Sequence, residues 1–121
     1  MKRKKQLYDE LLMKSITQYM RNNLKNIRLD DLEREFYYRA NFFNNFIKKS
    51  TGVTFSEYLI RLRVNRAKEL LKDTDMTIDE IMDFIGYNNK GFFYRKFQEI
   101  AGITPAKFRK NSKPSPSAGN L

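Results

Sequence analysis

The 121-residue chain has no cysteine, no histidine and no tryptophan. Without cysteine it can form no disulfide, no thiolate zinc site and no thiol nucleophile. Without histidine it has no His-dependent triad, no common metal-ligand set and no side chain whose ordinary pKa lies near neutrality. Gly-rich phosphate loops and nucleophile–base pairs are also missing from the sequence, so neither an enzyme nor a cofactor is expected. Uninterrupted apolar runs never exceed three residues, far short of a signal-peptide core or a membrane span. With cysteine absent as in reducing compartments, the expectation is a cytoplasmic protein with no membrane partner.

What the chain does have is positive charge and aromatic bulk. Lys and Arg number 24 against 14 Asp and Glu, a net charge of +10, and 10 Phe with 7 Tyr help bring the apolar share to 40%. That is enough for a real core, and a basic chain favours a polyanionic partner. The excess is concentrated at the ends. Lys2, Arg3, Lys4 and Lys5 lie at one end and Lys107, Arg109, Lys110 and Lys113 near the other, leaving 16 bases and 14 acids between residues 7 and 106. Function must therefore be read from how charge is arranged inside the domain.

Hydrophobic spacing is helical almost throughout. Leu7, Leu11, Leu12, Ile16, Tyr19 and Met20 predict a first helix. Leu29, Leu32 and Phe36 predict a second, and Phe43, Phe46 and Ile47 a third. Thr54 and Glu57 form a capping box that opens a long helix to about residue 72. This helix carries two apolar stripes, Ile60, Val64, Ala67 and Leu71, and Phe55, Tyr58, Leu59 and Leu62, so packing on each side is expected. Thr77 and Glu80 form another capping box before Ile81 and Ile85. Phe93, Phe97 and Ile100 are the expected core side of the following helix. Thr104-Pro105 begins the last one, with Pro at the position where its missing N–H costs nothing. The fold class expected is all-α, about seven helices. Residues 1–6 read as a basic arm, 7–110 as the folded domain, and the Pro/Ser/Gly stretch within 111–121 as a disordered tail.

One unit occurs twice. Phe42-Phe43, Gly52, Val53 and Thr54 recur 50 residues later as Phe92-Phe93, Gly102, Ile103 and Thr104, whereas Leu29 and Leu32 match Ile78 and Ile81 at an offset of 49. The second copy therefore has one more residue in the turn between its helices. Each copy is a short helix, a turn and a second helix, the shape of a helix-turn-helix. They cover about 28–51 and 77–101, joined by a linker helix at about 54–72. Gly86 stands where the chain must turn with positive φ, and Tyr37 occupies that place in the first copy. At 1.5 Å per residue the linker spans roughly 28 Å. This compares with about 34 Å between successive major-groove faces on one side of B-DNA.

The second helix of each copy has an outward side without acids in its N-terminal half. In the first copy that side holds Asn41, Asn44, Asn45 and Lys48. In the second it holds Lys90, Gly91, Tyr94, Arg95 and Gln98. The acids collect on the preceding helices, as Asp30, Asp31, Glu33 and Glu35 and as Asp79, Glu80 and Asp83. Asn can pair with adenine in the major groove and Arg can make a bidentate pair with guanine. Arg39, Lys49, Thr77 and Asn88 are candidate phosphate anchors, together with helix N-termini.

The run from Phe55 to Leu71 with its Arg63-x-x-x-Ala67 motif, then Ile78 to Ile81, Gly86-Tyr87 and Gly102-Ile103-Thr104-Pro105, resembles the DNA-binding domain of the AraC/XylS family of transcriptional regulators. The resemblance covers roughly residues 10–110. It implies two helix-turn-helix subdomains joined by a long helix and reading adjacent major-groove segments of double-stranded DNA. It also implies regulation of transcription, usually activation through RNA polymerase. By the same resemblance Asn41, Asn44 and Asn45 belong to the first reading helix, and Lys90, Gly91, Tyr94 and Arg95 to the second. Glu33 and Met82 depart from the family's usual Ala, Tyr37 from a common Gly, and Arg39 from a common Ser cap. No sensor domain fits within this length, so the expectation is either a stand-alone regulator, monomeric if the chain is complete, or a fragment of a longer chain. The rival reading is an adaptor that docks RNA polymerase or another regulator without reading bases.

Overall fold

The computed structural model describes residues 3–112. Among them are seven helices and no strand: α1 Lys4–Asn22, α2 Leu29–Phe36, α3 Ala40–Thr51, α4 Phe55–Asp73, α5 Ile78–Ile85, α6 Lys90–Ala101 and α7 Pro105–Ser112. The all-α expectation holds, with boundaries shifted at both ends. α1 starts at Lys4, inside the stretch expected to be an arm, because Lys and Gln are good helix formers and extend the amphipathic pattern. At the other end α7 takes in Asn111 and Ser112, where Ser112 Oγ donates to the Phe108 carbonyl at 2.7 Å. The rest of the expected tail, 113–121, lies outside the described residues.

The chain divides between Leu62 and Arg63 into two compact units. In the first, Ile16 and Met20 of α1, Leu24, Ile27, Leu32 of α2, Phe43 and Ile47 of α3, and Phe55, Leu59 and Leu62 of α4 form one buried cluster. In the second, Val64, Ala67, Leu70 and Leu71 of α4, Ile81, Met82 and Ile85 of α5, Phe93 and Phe97 of α6, and Pro105 of α7 are buried. The two stripes of α4 thus serve successive stretches of the helix: its first half supplies the first core and its second half the second. Ile100 corrects the expected core face of α6. It is 39% exposed, and its neighbours Gln98 and Glu99 are exposed too, so the last turn runs past the packed aromatic residues.

Each helix pair is joined by a turn that starts in the left-handed region. Gly86 has φ 100° and closes α5 by donating its N–H to the Met82 carbonyl at 3.0 Å. Tyr37 holds the matching place after α2 at φ 62°, its N–H donating to the Glu33 carbonyl at 2.9 Å. Three residues, 37–39, separate α2 from α3, and four, 86–89, separate α5 from α6, as the shifted repeat predicts. A Cβ at such a φ costs about 1–2 kcal/mol, and Tyr37, 90% exposed, recovers little of it by packing. Tyr37→Asn should therefore stabilise the first unit by about 0.5–1 kcal/mol, since Asn tolerates this conformation better. Gly86→Ala should destabilise the second by about 1–2 kcal/mol. Urea unfolding followed by circular dichroism reads both; changes of the same sign would contradict this account of the turns.

Candidate nucleic-acid interface

The second helix of each unit is oriented by its aromatic face. In α3, Phe43 and Ile47 are fully buried. Phe42 stacks between Tyr38 and Phe46, with ring centroids 4.1 Å and 5.2 Å away. Those contacts account for Phe42 as part of the packing. With that side fixed inward, Asn41, Asn44, Asn45 and Lys48 recur at i, i+3, i+4 and i+7 on the other side, and all four are exposed. Lys49 and Arg39 are exposed as well. No acidic residue occurs anywhere in α3.

In α6 the buried pair is Phe93 and Phe97, 5.8 Å apart between ring centroids. Lys90, Gly91 and Arg95 are exposed, and Asn88 is exposed in the preceding turn. Tyr94 is half-buried, with its ring edge-on to Phe93 at 5.9 Å. The guanidinium of Arg95 lies 5.5 Å from the Phe92 ring, which Lys96 Nζ also approaches at 5.6 Å. An aromatic face under a cation restrains it without neutralising it. Phe92 therefore acts as a platform for the arginine.

Several acids on α2 and α5 have local partners. Asp31 accepts the Arg28 N–H at 2.7 Å and pairs with Arg34. Glu80 accepts the Thr77 N–H at 2.9 Å while Thr77 Oγ1 accepts the Glu80 N–H at 3.1 Å. These bonds from Thr77 hold the Glu80 carboxyl below the usual carboxylate range. Thr77 is thus engaged as a helix cap. Asp79 lies 3.1 Å from Lys90 Nζ and raises the lysine pKa. An exposed pair of this kind is worth little and exchanges readily.

Three tertiary contacts were not visible in the spacing of residues. Glu33 Oε1 accepts the Ala40 N–H across the first turn at 2.9 Å. Arg63 lies 5.1 Å from the Tyr87 ring, an arrangement in which burial lowers the arginine pKa and raises that of the tyrosine. Arg109 donates to the Leu71 and Thr74 carbonyls at 3.0 and 3.2 Å, closing the C-terminal end of α4 from α7. Only the first had a signal in the sequence: an acid in α2 together with an N-cap residue, Arg39, whose side chain makes no capping bond. Among the described residues no group of three or more acids could hold a metal ion. No helix among them is long and apolar enough to cross a membrane.

Comparison with known proteins places the same region in a recognisable group. A family described as a helix-turn-helix domain matches residues 32–111. The HTH-type transcriptional regulator YtdP of Bacillus subtilis is 34% identical over 87 residues, covering 72% of this chain and 11% of that protein. The transposon Tn10 TetD protein of Escherichia coli is 31% identical over 101 residues, covering 83% of this chain and 73% of TetD. Against several other curated relatives the chain spans about a third of their length, from 30% to 35%. Among solved structures, the DNA-binding domain of the transcriptional factor AdpA in complex with a target DNA superposes with a TM-score of 0.71. It is 22% identical and covers 80% of this chain and 88% of that one.

Proposed function

The chain belongs to the AraC-type helix-turn-helix family, and from that membership we propose that it is a sequence-specific double-stranded DNA-binding regulator of transcription. In this reading α3 and α6 enter two adjacent major-groove segments. Asn41, Asn44, Asn45 and Lys48 of α3, and Lys90, Gly91, Tyr94 and Arg95 of α6, meet base edges. Arg39, Lys49 and Asn88 meet phosphates, and Thr77 contributes as the cap that fixes α5. The regulator acts as an activator, with RNA polymerase as its protein partner.

One observation carries the reading. Two units whose turns both start in the left-handed region each present an exposed helix face that starts without acids. A solvated face chosen only for solubility would mix both signs. Gly91 supports the same reading. A Cβ there would meet only Asn89 Oδ1, at an ordinary 3.5 Å, so the packing of the protein does not demand glycine. Glycine within a helix costs up to about 1 kcal/mol relative to alanine, and a close approach by DNA explains its presence.

Selection of bound sites from a random duplex pool tests the proposal. The expected product is a pair of half-motifs about one helical turn, roughly 10 base pairs, apart. Recovery of unenriched sequence would favour the adaptor reading, in which the same units dock a protein.

A further inference from the structure

The two reading helices are capped by different chemistry. At α6 the neutral Asn89 side chain accepts the Phe92 N–H at 2.9 Å, a local cap. At α3 the residue in the N-cap place, Arg39, makes no side-chain capping bond, as expected of a side chain with no acceptor. The Ala40 N–H goes instead to Glu33 Oε1 at 2.9 Å, seven residues back on the preceding helix and partly buried. The equivalent position in the second unit is Met82, 5% exposed and apolar. The first unit therefore holds a carboxylate at the start of its reading helix where the second holds an amide.

A carboxylate at that place has two consequences. It satisfies one of the N–H groups every helix leaves open at its start, and it joins α2 to α3 by a bond that fixes their angle. It also occupies the positive end of the helix dipole, where a DNA phosphate would otherwise be attracted whatever the base sequence. We propose that Glu33 is a positioning residue that both caps the first reading helix from outside and lowers that helix's sequence-independent attraction to the DNA backbone. The backbone N–H groups at the start of α3 then add little to non-specific binding, which is left in this unit to the side chains of Arg39 and Lys49. This rests on the DNA reading proposed above.

The test compares the parent with Glu33→Gln, Glu33→Ala and Glu35→Gln. Gln keeps an oxygen acceptor and loses the charge, Ala loses both, and Glu35→Gln removes an equal charge from an exposed neighbour. Without DNA, hydrogen exchange at the Ala40 amide should quicken less in Glu33→Gln, which keeps a neutral and weaker acceptor, than in Glu33→Ala. In Glu33→Ala it should be about fivefold faster, the effect of losing a typical cap. On unrelated duplex DNA, Glu33→Gln should bind about two- to fivefold tighter, the range of one charge at a helix terminus, with a steeper salt dependence than the parent. Glu35→Gln should change binding less. Equal acceleration of Ala40 exchange in Glu33→Gln and Glu33→Ala, or no change in Glu33→Ala, overturns the capping role. Equal effects of Glu33→Gln and Glu35→Gln on DNA, or none from either, overturn the electrostatic role. A parent that binds no duplex at all overturns the DNA reading itself, and Ala40 exchange still decides the cap.

Discussion

Phe93→Ala is expected to cost about 3–5 kcal/mol of stability in the second unit, the usual range for emptying a fully buried aromatic site. Phe93 is completely buried, with the rings of Tyr87, Tyr94 and Phe97 all within 5.9 Å. Each of those rings would lose an edge or face contact, and fixed helices at the site limit collapse into the space. A domain of this size has only about 5–15 kcal/mol of stability in total. The variant should therefore lose the α6 surface as well as its unfolding midpoint, and duplex binding should fall with it. Phe92 is the control. It is its neighbour in sequence but half-buried, with its face under Arg95 and Lys96, so Phe92→Ala should cost far less stability. Urea unfolding, with amide exchange in α6 as the local readout, separates the two. Equal costs would mean that Phe93 does not hold the core ascribed to it.

The same residues explain why the fold was so legible in the sequence. Phe93 and Phe97, Phe43 and Ile47, and Ile81 and Ile85 are helical repeats whose burial follows directly from their spacing. Caps are local too: Thr77 with Glu80 and Thr104 with the Lys107 N–H bind within three residues. Even the strained turn could be anticipated, because the repeat aligns Tyr37 with a glycine and the backbone there takes the same sign of φ. Spacing failed where the outcome depends on which element arrives opposite. Ile100 obeys the α6 period but lies where the helix has outrun its neighbours. The bonds from Glu33 to Ala40, from Arg63 to Tyr87 and from Arg109 to the end of α4 all cross between elements, and no periodicity encodes such a meeting. Of the candidate site, side-chain type was legible, and so was exposure except at Tyr94, whose ring packs edge-on to Phe93, because an outward face is the complement of a buried one. The restraint on Arg95 by Phe92 and the engagement of Lys90 by Asp79 were not.

Duplex affinity should fall steeply with salt, and individual substitutions should divide that fall into parts. Each phosphate contact contributes about −0.9 to the slope of log affinity against log salt, so a fourfold rise in salt costs about 3.5-fold per contact. The two cationic phosphate contacts assigned to Arg39 and Lys49 would alone give a loss of about 10-fold. Lys49→Ala should weaken all sequences alike and lower the slope by about 0.9. Arg95→Ala should behave differently. Its guanidinium is held over an aromatic ring, which keeps its planar fork available for a base edge. Its removal should cost about 1–3 kcal/mol on the preferred site and relax selection at one position, with little loss on unrelated DNA. Fluorescence anisotropy over a salt series, on the selected site and on a scrambled one, distinguishes the two behaviours. If Arg95→Ala lowers the slope and weakens both duplexes equally, the arginine is a phosphate contact and base reading by α6 falls to its remaining outward residues. If it changes neither, α6 does not approach DNA through this face.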